Sequence, residues 1–267
     1  PPASAAPTIV MVVPNGYGLG HVTRLLAIAR VLKAERDARI VFWSFSRAAG
    51  LIARFGFEVY ARQTARHLSA EPKAWQAWET AEFAALLRRL LPDLVLQDAA
   101  TLDDFVIDAL VQPGTGAARL ALLRRGMWQK HILGTDPLAA ETLADLIIEP
   151  GDLAAPADHG LTRGRASAPR RLAATIVSAP VTLNRPAERM DRKRARKALG
   201  LGRGRHCLIT LGSDAFNDWT HLLRELTRQA QSARIKLVWA HSPLAAPEPL
   251  IAQTPGITAL ATSPLAP

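Results

Sequence analysis

The run Thr8-Ile9-Val10-Met11-Val12-Val13 leads at once into Pro14-Asn15-Gly16-Tyr17-Gly18-Leu19-Gly20, and apolar residues then recur at Val22, Leu25, Leu26, Ala29 and Leu32. No other part of the chain constrains its fold as much. A short apolar run before a breaker suits a buried strand, and apolar positions three and four apart suit a helix over 19–33. A strand that passes through a tight turn straight into a helix must bury its faces against further strands and helices.

The rest of the chain supplies them by repetition. Ile40-Val41-Phe42-Trp43 reads as a second strand, Ala48 to Phe55 as a short helix and Glu58-Val59-Tyr60 as a third strand. Lys73 to Leu91 is amphipathic and is stopped by Pro92, after which 93–97 reads as a strand. Thr101 to Leu110 is expected to be helical, Ala118 to Leu123 extended, Ala139 to Ala144 helical and Leu146 to Ile148 extended.

This alternation predicts an α/β protein, with a doubly wound parallel sheet over residues 8–150. Residues 1–7 read as a flexible leader, and 151–173, rich in Ala, Pro, Gly and Arg without periodicity, as a linker. A second Rossmann-like unit is predicted over 174–267, with strands near 174–177, 206–211, 235–240 and 257–261 and helices over 191–199 and 217–231. A doubly wound domain needs more strands than these, so this unit is expected to be incomplete, its C-terminal part missing from the chain.

The glycine turn is the first candidate site. Backbone N–H groups and the positive end of a helix dipole, brought together by Gly16, Gly18 and Gly20, suit an anion or a developing negative charge. A tight turn needing positive φ accounts for the glycines equally well. The third glycine of a dinucleotide fingerprint is absent, Trp43-Ser44-Phe45 stands where an acidic residue would bind ribose, and no Gly-Lys-Ser/Thr is present for a P-loop.

His21 follows the turn directly. An imidazole at a helix start, in the crevice of such a sheet, is a candidate general base. Arg24, one helical turn on, either pairs with an acid or contacts phosphate. Asp98 closes the strand over 93–97, where it either supports the site or caps the following helix. Asp103 and Asp104 fall in the first turn of that helix, where carboxylates favour the dipole, and no chemistry is assigned to them.

The segment from Pro14 to Ala29, with Gly18, Gly20, His21, Arg24 and Ala29 in register, resembles the G-x-G-H-x-x-R-x-x-x-x-A opening of GT-B glycosyltransferases. These include the peptidoglycan N-acetylglucosaminyltransferases and the related nucleotide-sugar hydrolase of pseudaminic acid synthesis. Arg124-Arg125-Gly126-Met127-Trp128 after a strand, and Arg192 to Gly202 before the strand that leads to Gly212-Ser213, are similar to later parts of the same fold.

The resemblance implies an N-terminal acceptor domain, a C-terminal donor domain and catalysis between them. His21 would deprotonate the attacking hydroxyl, or water in the hydrolase branch, for inverting displacement at the anomeric carbon of a nucleotide-diphosphate sugar, with UDP as the expected nucleotide. Asn15, Gly16, Gly18, Leu19, Gly20, Arg24 and Asp98 would line the substrate side, and Gly212 and Ser213 would meet the donor phosphates. The implied acceptor is a carbohydrate, a lipid-linked sugar or a small molecule. A binding module that kept the fold without turnover is the reading from another class. The acidic residue and second glycine loop that hold the donor in the family have no counterpart in this chain.

Composition narrows the partners. With 49% hydrophobic residues in 267, the chain can build a packed core. Lys and Arg outnumber Asp and Glu by 33 to 23, which suits sugar-nucleotide phosphates or peripheral contact with an anionic membrane. The densest basic run, Arg192-Lys193-Arg194-Ala195-Arg196-Lys197, has no interleaved aromatics for base stacking, so nucleic acid is not expected.

Arg24, Arg30 and the pair Arg88-Arg89 interrupt the longest apolar runs, which leaves none long enough for a membrane-spanning helix. The single cysteine, Cys207, fits a reducing cytoplasm and reads as a buried structural thiol. His131, His159, His206, His221 and His241 lack metal-ligand spacing, so neither a metal nor another cofactor is expected. Trp75 and Trp78, three apart on a helix, are expected to pack in the core or under a lid, the alternative being an exposed pair that touches a lipid or sugar acceptor.

Overall fold

The computed structural model describes residues 6–14, 19–124, 142–152, 155–157, 174–210, 219–240 and 257–260. The chain forms two compact units that divide between Leu183 and Asn184. Each contains its own parallel sheet.

The first unit is built on seven strands: β1 (Thr8–Val13), β2 (Arg39–Ser44), β3 (Glu58–Ala61), β4 (Leu94–Asp98), β5 (Arg119–Leu123), β6 (Leu146–Pro150) and β7 (Ala174–Ser178). Their order is β3-β2-β1-β4-β5-β6-β7 and every pairing is parallel. The helices are α1 (Gly20–Arg36), α2 (Ala49–Arg54), the short α3 (Ala65–Leu68), α4 (Pro72–Leu90) and α5 (Asp104–Leu110). Ile9 to Val13 are all buried, as a central strand covered on both faces requires. From β1 the chain steps outward to β2 and β3 and then crosses back to β4 on the other side of β1. The switch point of the sheet therefore lies between the carboxyl ends of β1 and β4.

The predicted elements match the observed ones closely over 8–124, because each strand there is a short apolar run between breakers. Helix α4 ends as read: Leu91 turns into the left-handed region at φ 43° and Pro92 cannot continue the helix. The boundary expected at residue 174 is corrected. Residues 174–178 pair with β6 from Leu146↔Ala174 to Pro150↔Ser178 and so complete the first sheet rather than open the second unit. A lone apolar strand satisfies its backbone groups wherever a partner edge is free, and its own sequence does not say which. Gly151 closes this pair, for a Cβ there would stand 2.7 Å from the Ser178 carbonyl oxygen. The helix expected over 139–144 falls largely outside the described residues, as does most of the linker.

Trp75 packs against Phe45 and Phe105 and donates its indole N–H to the Gln63 carbonyl. Trp78, by contrast, is 47% exposed, which corrects the core reading for that residue. The Arg62 guanidinium covers it instead, 4.5 Å from its ring and equally 4.5 Å from the ring of Trp43. Beneath them Glu79, fully buried, accepts from Trp43 Nε1 at 2.7 Å and from Arg62 Nε and Nη2 at 3.1 and 3.0 Å. A Glu79→Ala variant leaves the indole N–H without its acceptor and the guanidinium with only the half-exposed Glu82, 3.7 Å away. It is expected to lose about 3 kcal/mol, the low end for a broken buried pair because Arg62 keeps a solvent edge. An unchanged urea midpoint would show that the cluster carries no stability.

Among its described residues the second unit has three parallel strands, β8 (Arg205–Ile209), β9 (Ile235–Ala240) and β10 (Ile257–Leu260), in the order β10-β9-β8. Helix α6 (Arg192–Ala198) precedes β8, with Asp191 as its N-cap, and α7 (Thr220–Ser232) lies between β8 and β9. Leu223 and Ala230 of α7 pack on Ile209, Leu237 and Trp239. Cys207 is exposed, contrary to the expectation of a buried thiol: β8 is an edge strand among the described residues, and its apolar neighbour Leu208 is exposed as well. Among the described residues no helix is long and apolar enough to cross a membrane.

Candidate active site

The site is set by the switch point. Helix α1 starts where β1 ends, and β4 lies directly beside β1, so the first turn of α1 and the last residue of β4 face each other across the crevice. His21 comes from the one and Asp98 from the other. His21 Nδ1 is 2.8 Å from Asp98 Oδ1, while Arg24 gives Asp98 two further bonds, Nε to Oδ2 at 2.8 Å and Nη2 to Oδ1 at 2.7 Å. The carboxylate is 1% exposed, His21 26% and Arg24 20%.

These bonds assign the imidazole protons. A carboxylate held by a guanidinium accepts and does not donate, so Nδ1 carries the hydrogen toward Asp98. In the neutral imidazole the lone pair then lies on Nε2. Arg24 Nη2 also lies 3.4 Å from His21 Nδ1, so the three residues form one cluster. Of the two roles open to Arg24, pairing with an acid is the one found. Asp98 is not a helix cap, a place taken by Asp103; it is buried and both of its oxygens accept from His21 or Arg24.

The turn gives the cluster its surroundings. Leu19 is the N-cap of α1 and offers no side-chain acceptor, and no carboxylate lies in the first turn. The first N–H groups of a seventeen-residue helix thus start at Gly20, beside His21. A Cβ on Gly20 would find Arg24 Nη1 as its nearest neighbour, at an ordinary 3.8 Å, so the packing of α1 does not itself demand glycine there. Asn15, Gly16, Tyr17 and Gly18 lie outside the described residues, and so do Gly212, Ser213 and the stretch Arg125 to Trp128. Among the described residues no group of His, Cys, Asp or Glu could hold a metal ion.

Two arrangements around the site escaped the sequence reading. Arg124, at the end of β5 and wholly buried, donates to Glu149 of β6 at 2.6 Å, a buried pair at the same carboxyl edge of the sheet. Gln97, buried beside Asp98 in β4, uses its amide to hold the start of α5: Nε2 donates to Asp103 Oδ2 at 2.8 Å and Oε1 accepts from the Asp103 N–H at 3.2 Å. Neither arrangement has a spacing signal in the sequence: Arg124 and Glu149 meet only through the sheet, and Gln97 and Asp103 meet across the short connection from β4 to α5.

Asp103 is the titrating member of the second arrangement. Burial, and after it the charge of Asp104, push its carboxyl up from 3.8 to about 6, while the Gln97 amide and His21 pull the other way. An acid whose folded value is raised binds its proton more tightly in the folded state, so its contribution to stability is complete below about pH 4 and is lost as pH rises through about 6. Roughly 2–3 kcal/mol is at stake over that window. Asp103→Asn is therefore expected to gain that much relative to the unmodified protein between pH 4 and 7.5, read from urea midpoints at both pH values. A constant difference between the two proteins would show that Asp103 does not titrate in this window.

No protein-family model matches the sequence, and no curated protein matches it. Solved structures do match. UDP-GlcNAc 2-epimerase from Methanocaldococcus jannaschii superposes with a TM-score of 0.58 at 10% identity, over 97% of this chain and 74% of that one. A Phytolacca americana glycosyltransferase, complexed with UDP-2fluoro-glucose and pterostilbene, gives 0.58 at 12%, over 98% and 72%. A Glycyrrhiza uralensis glycosyltransferase, complexed with glycyrrhetinic acid 3-O-monoglucuronide, gives 0.61 at 10%, over 96% and 69%. The chain has the GT-B type of fold, which glycosyltransferases and UDP-GlcNAc 2-epimerases share.

Proposed function

We propose that this chain carries the acceptor side of a sugar-transfer site and that His21 is its general base. The observation that carries this reading is the bond from His21 Nδ1 to the buried Asp98, which in the neutral imidazole puts the lone pair on Nε2 at the switch point of the sheet. In the proposed step Nε2 takes the proton of an acceptor hydroxyl, and the hydroxyl oxygen bonds to the anomeric carbon of a nucleotide-diphosphate sugar from the face opposite the leaving group. The bond from that carbon to the phosphate oxygen breaks, and the nucleoside diphosphate leaves with the electron pair. Configuration is inverted. Asp98 stabilises the imidazolium as it forms, and Arg24 holds Asp98 in place through its two bonds.

The N–H groups at Leu19 and Gly20, with those of Gly16 and Gly18 in the turn, are proposed to face developing negative charge on acceptor or diphosphate, a role in keeping with the start of α1. Asn15 is a further proposed substrate contact, and Gly212 and Ser213 are the proposed contacts to the donor phosphates. UDP is the proposed nucleotide, in keeping with the ligand of the Phytolacca americana structure.

A second reading rests on the epimerase likeness: the same dyad can activate water, or act on the sugar nucleotide itself, without an acceptor. One assay tests both. Release of nucleoside diphosphate by the full-length protein is followed over a panel of UDP-sugars, with and without sugar, lipid-linked and aromatic hydroxyl acceptors. Release that needs an acceptor supports transfer, and release without one supports hydrolysis. Binding of a UDP-sugar with no turnover under any condition would overturn both and leave a binding module.

A further inference from the structure

Between residues 185 and 205 the second unit gathers nine arginines and lysines against two carboxylates, Glu188 and Asp191. Both carboxylates serve the backbone. Asp191 accepts the N–H groups of Lys193 and Arg194 at 2.9 and 3.0 Å to cap α6, and Glu188 accepts that of Arg185 at 2.8 Å. Arg192, Lys193, Arg194, Lys197 and Arg203 make no ion pair among the described residues. All five are exposed.

Three of the arginines converge. Arg192 and Arg196, one turn apart on α6, and Arg203, on the loop into β8, line a shallow depression of about 480 Å³ floored by Leu201, Gly202 and Gly204. No carboxylate lines it. The loop is held in shape, because Arg196 Nη2 donates to the carbonyls of Gly202 and Gly204 and also lies 3.2 Å from His206 Nδ1. Gly204 has φ 115°, a conformation that side chains resist, and a Cβ on Gly202 or Gly204 would meet nothing within 4 Å, so the floor is bare backbone under open space. With Arg196 holding the loop, the guanidiniums of Arg192 and Arg203, neither in an ion pair among the described residues, suit the oxygens of a phosphate over a glycine floor.

We infer that this groove is a phosphate-ester docking site separate from the proposed sugar-transfer site. Its position in the sheet argues for the separation. The loop runs into the amino end of β8, whereas substrates of open α/β sheets gather at the carboxyl ends, where Gly212 and Ser213 follow in sequence. Nucleic acid is a poor occupant, since no aromatic residue lies within 185–205 to stack a base. The phosphate can belong to a soluble diphosphate or to an anionic lipid head group. Met190 and Leu199, exposed at either end of α6, are apolar side chains of the kind that enter a head-group layer.

The test uses the whole chain and Arg192→Ala/Arg203→Ala, with Arg36→Ala/Arg54→Ala as a charge-matched control on the exposed last turns of α1 and α2. Binding of inorganic pyrophosphate is measured by calorimetry. Binding to phosphatidylcholine vesicles with and without phosphatidylglycerol is measured by sedimentation at low salt. At least about ten-fold weaker binding in the groove variant, with the control unchanged, is expected from the loss of two cations near a phosphate surface. A loss seen with pyrophosphate alone assigns the site to soluble phosphates, and a loss seen with anionic vesicles assigns it to lipid. Failure of both probes to bind, or equal weakening by the control, would overturn the inference. Unfolding midpoints of both variants are expected to match that of the unmodified chain, as the substituted side chains are exposed.

Discussion

Replacing His21 with alanine lowers nucleoside-diphosphate release by the full-length protein by about a hundred- to ten-thousand-fold, the range that a positioned general base contributes. The loss falls on kcat. The imidazole is argued to act on a proton that moves only in the transition state, so the affinity for the sugar nucleotide stays near its original value. The folding midpoint also stays close. Asp98 keeps both bonds to Arg24 when the imidazole is gone, and His21 is a partly exposed side chain at a helix start. Chemistry lost without stability lost is the signature that separates a base from a strut. Turnover equal to that of the unmodified protein would make the His21–Asp98 bond a structural one.

The first unit was legible in sequence almost element by element, and the reason is local. Each strand from Thr8 to Leu123 is a short apolar run between breakers, and each longer helix shows its 3.6-residue period. What was not legible is what depends on neighbours. Residues 174–178 look the same whether they open a new sheet or close an old one, and only the pairing with β6 decides it. The site divides along the same line. His21 and Arg24 sit on one helix turn and announce themselves by spacing, whereas Asp98 lies 77 residues from His21 and reads equally well as a cap.

The strand order removes that ambiguity. Once β4 is known to lie beside β1, a carboxylate at the end of β4 must face the start of α1, and the dyad follows. Gln97 and Asp103 show the limit from the other side. Their clamp involves side chains six residues apart, yet nothing in the local pattern distinguishes it from a solvated loop, because it exists only where the sheet buries Gln97. Trp78 fails for a related reason: helical spacing places it beside Trp75, but the Arg62 that covers it comes from the end of β3.

Asp98→Asn is expected to cost about as much as the loss of His21, again a hundred- to ten-thousand-fold in kcat, although Asp98 touches no substrate. The amide has one acceptor oxygen where the carboxylate has two. Oδ1 accepts from both Arg24 Nη2 and His21 Nδ1 while Oδ2 accepts from Arg24 Nε alone, so an amide whose oxygen stays on Arg24 Nε turns its N–H group toward His21 Nδ1. In that orientation Nδ1 accepts, the imidazole proton moves to Nε2, and the atom argued to take the acceptor's proton no longer has its lone pair free. This cost arises only through His21. In a His21→Ala background, Asp98→Asn should therefore lower the residual rate little further, so that the double variant resembles either single one. A purely structural Asp98 predicts the opposite. Its replacement would reduce the rate by the same factor in both backgrounds, and the urea midpoint would fall in step with the rate, since breaking a buried carboxylate–arginine pair destabilises the fold whether or not the histidine is present.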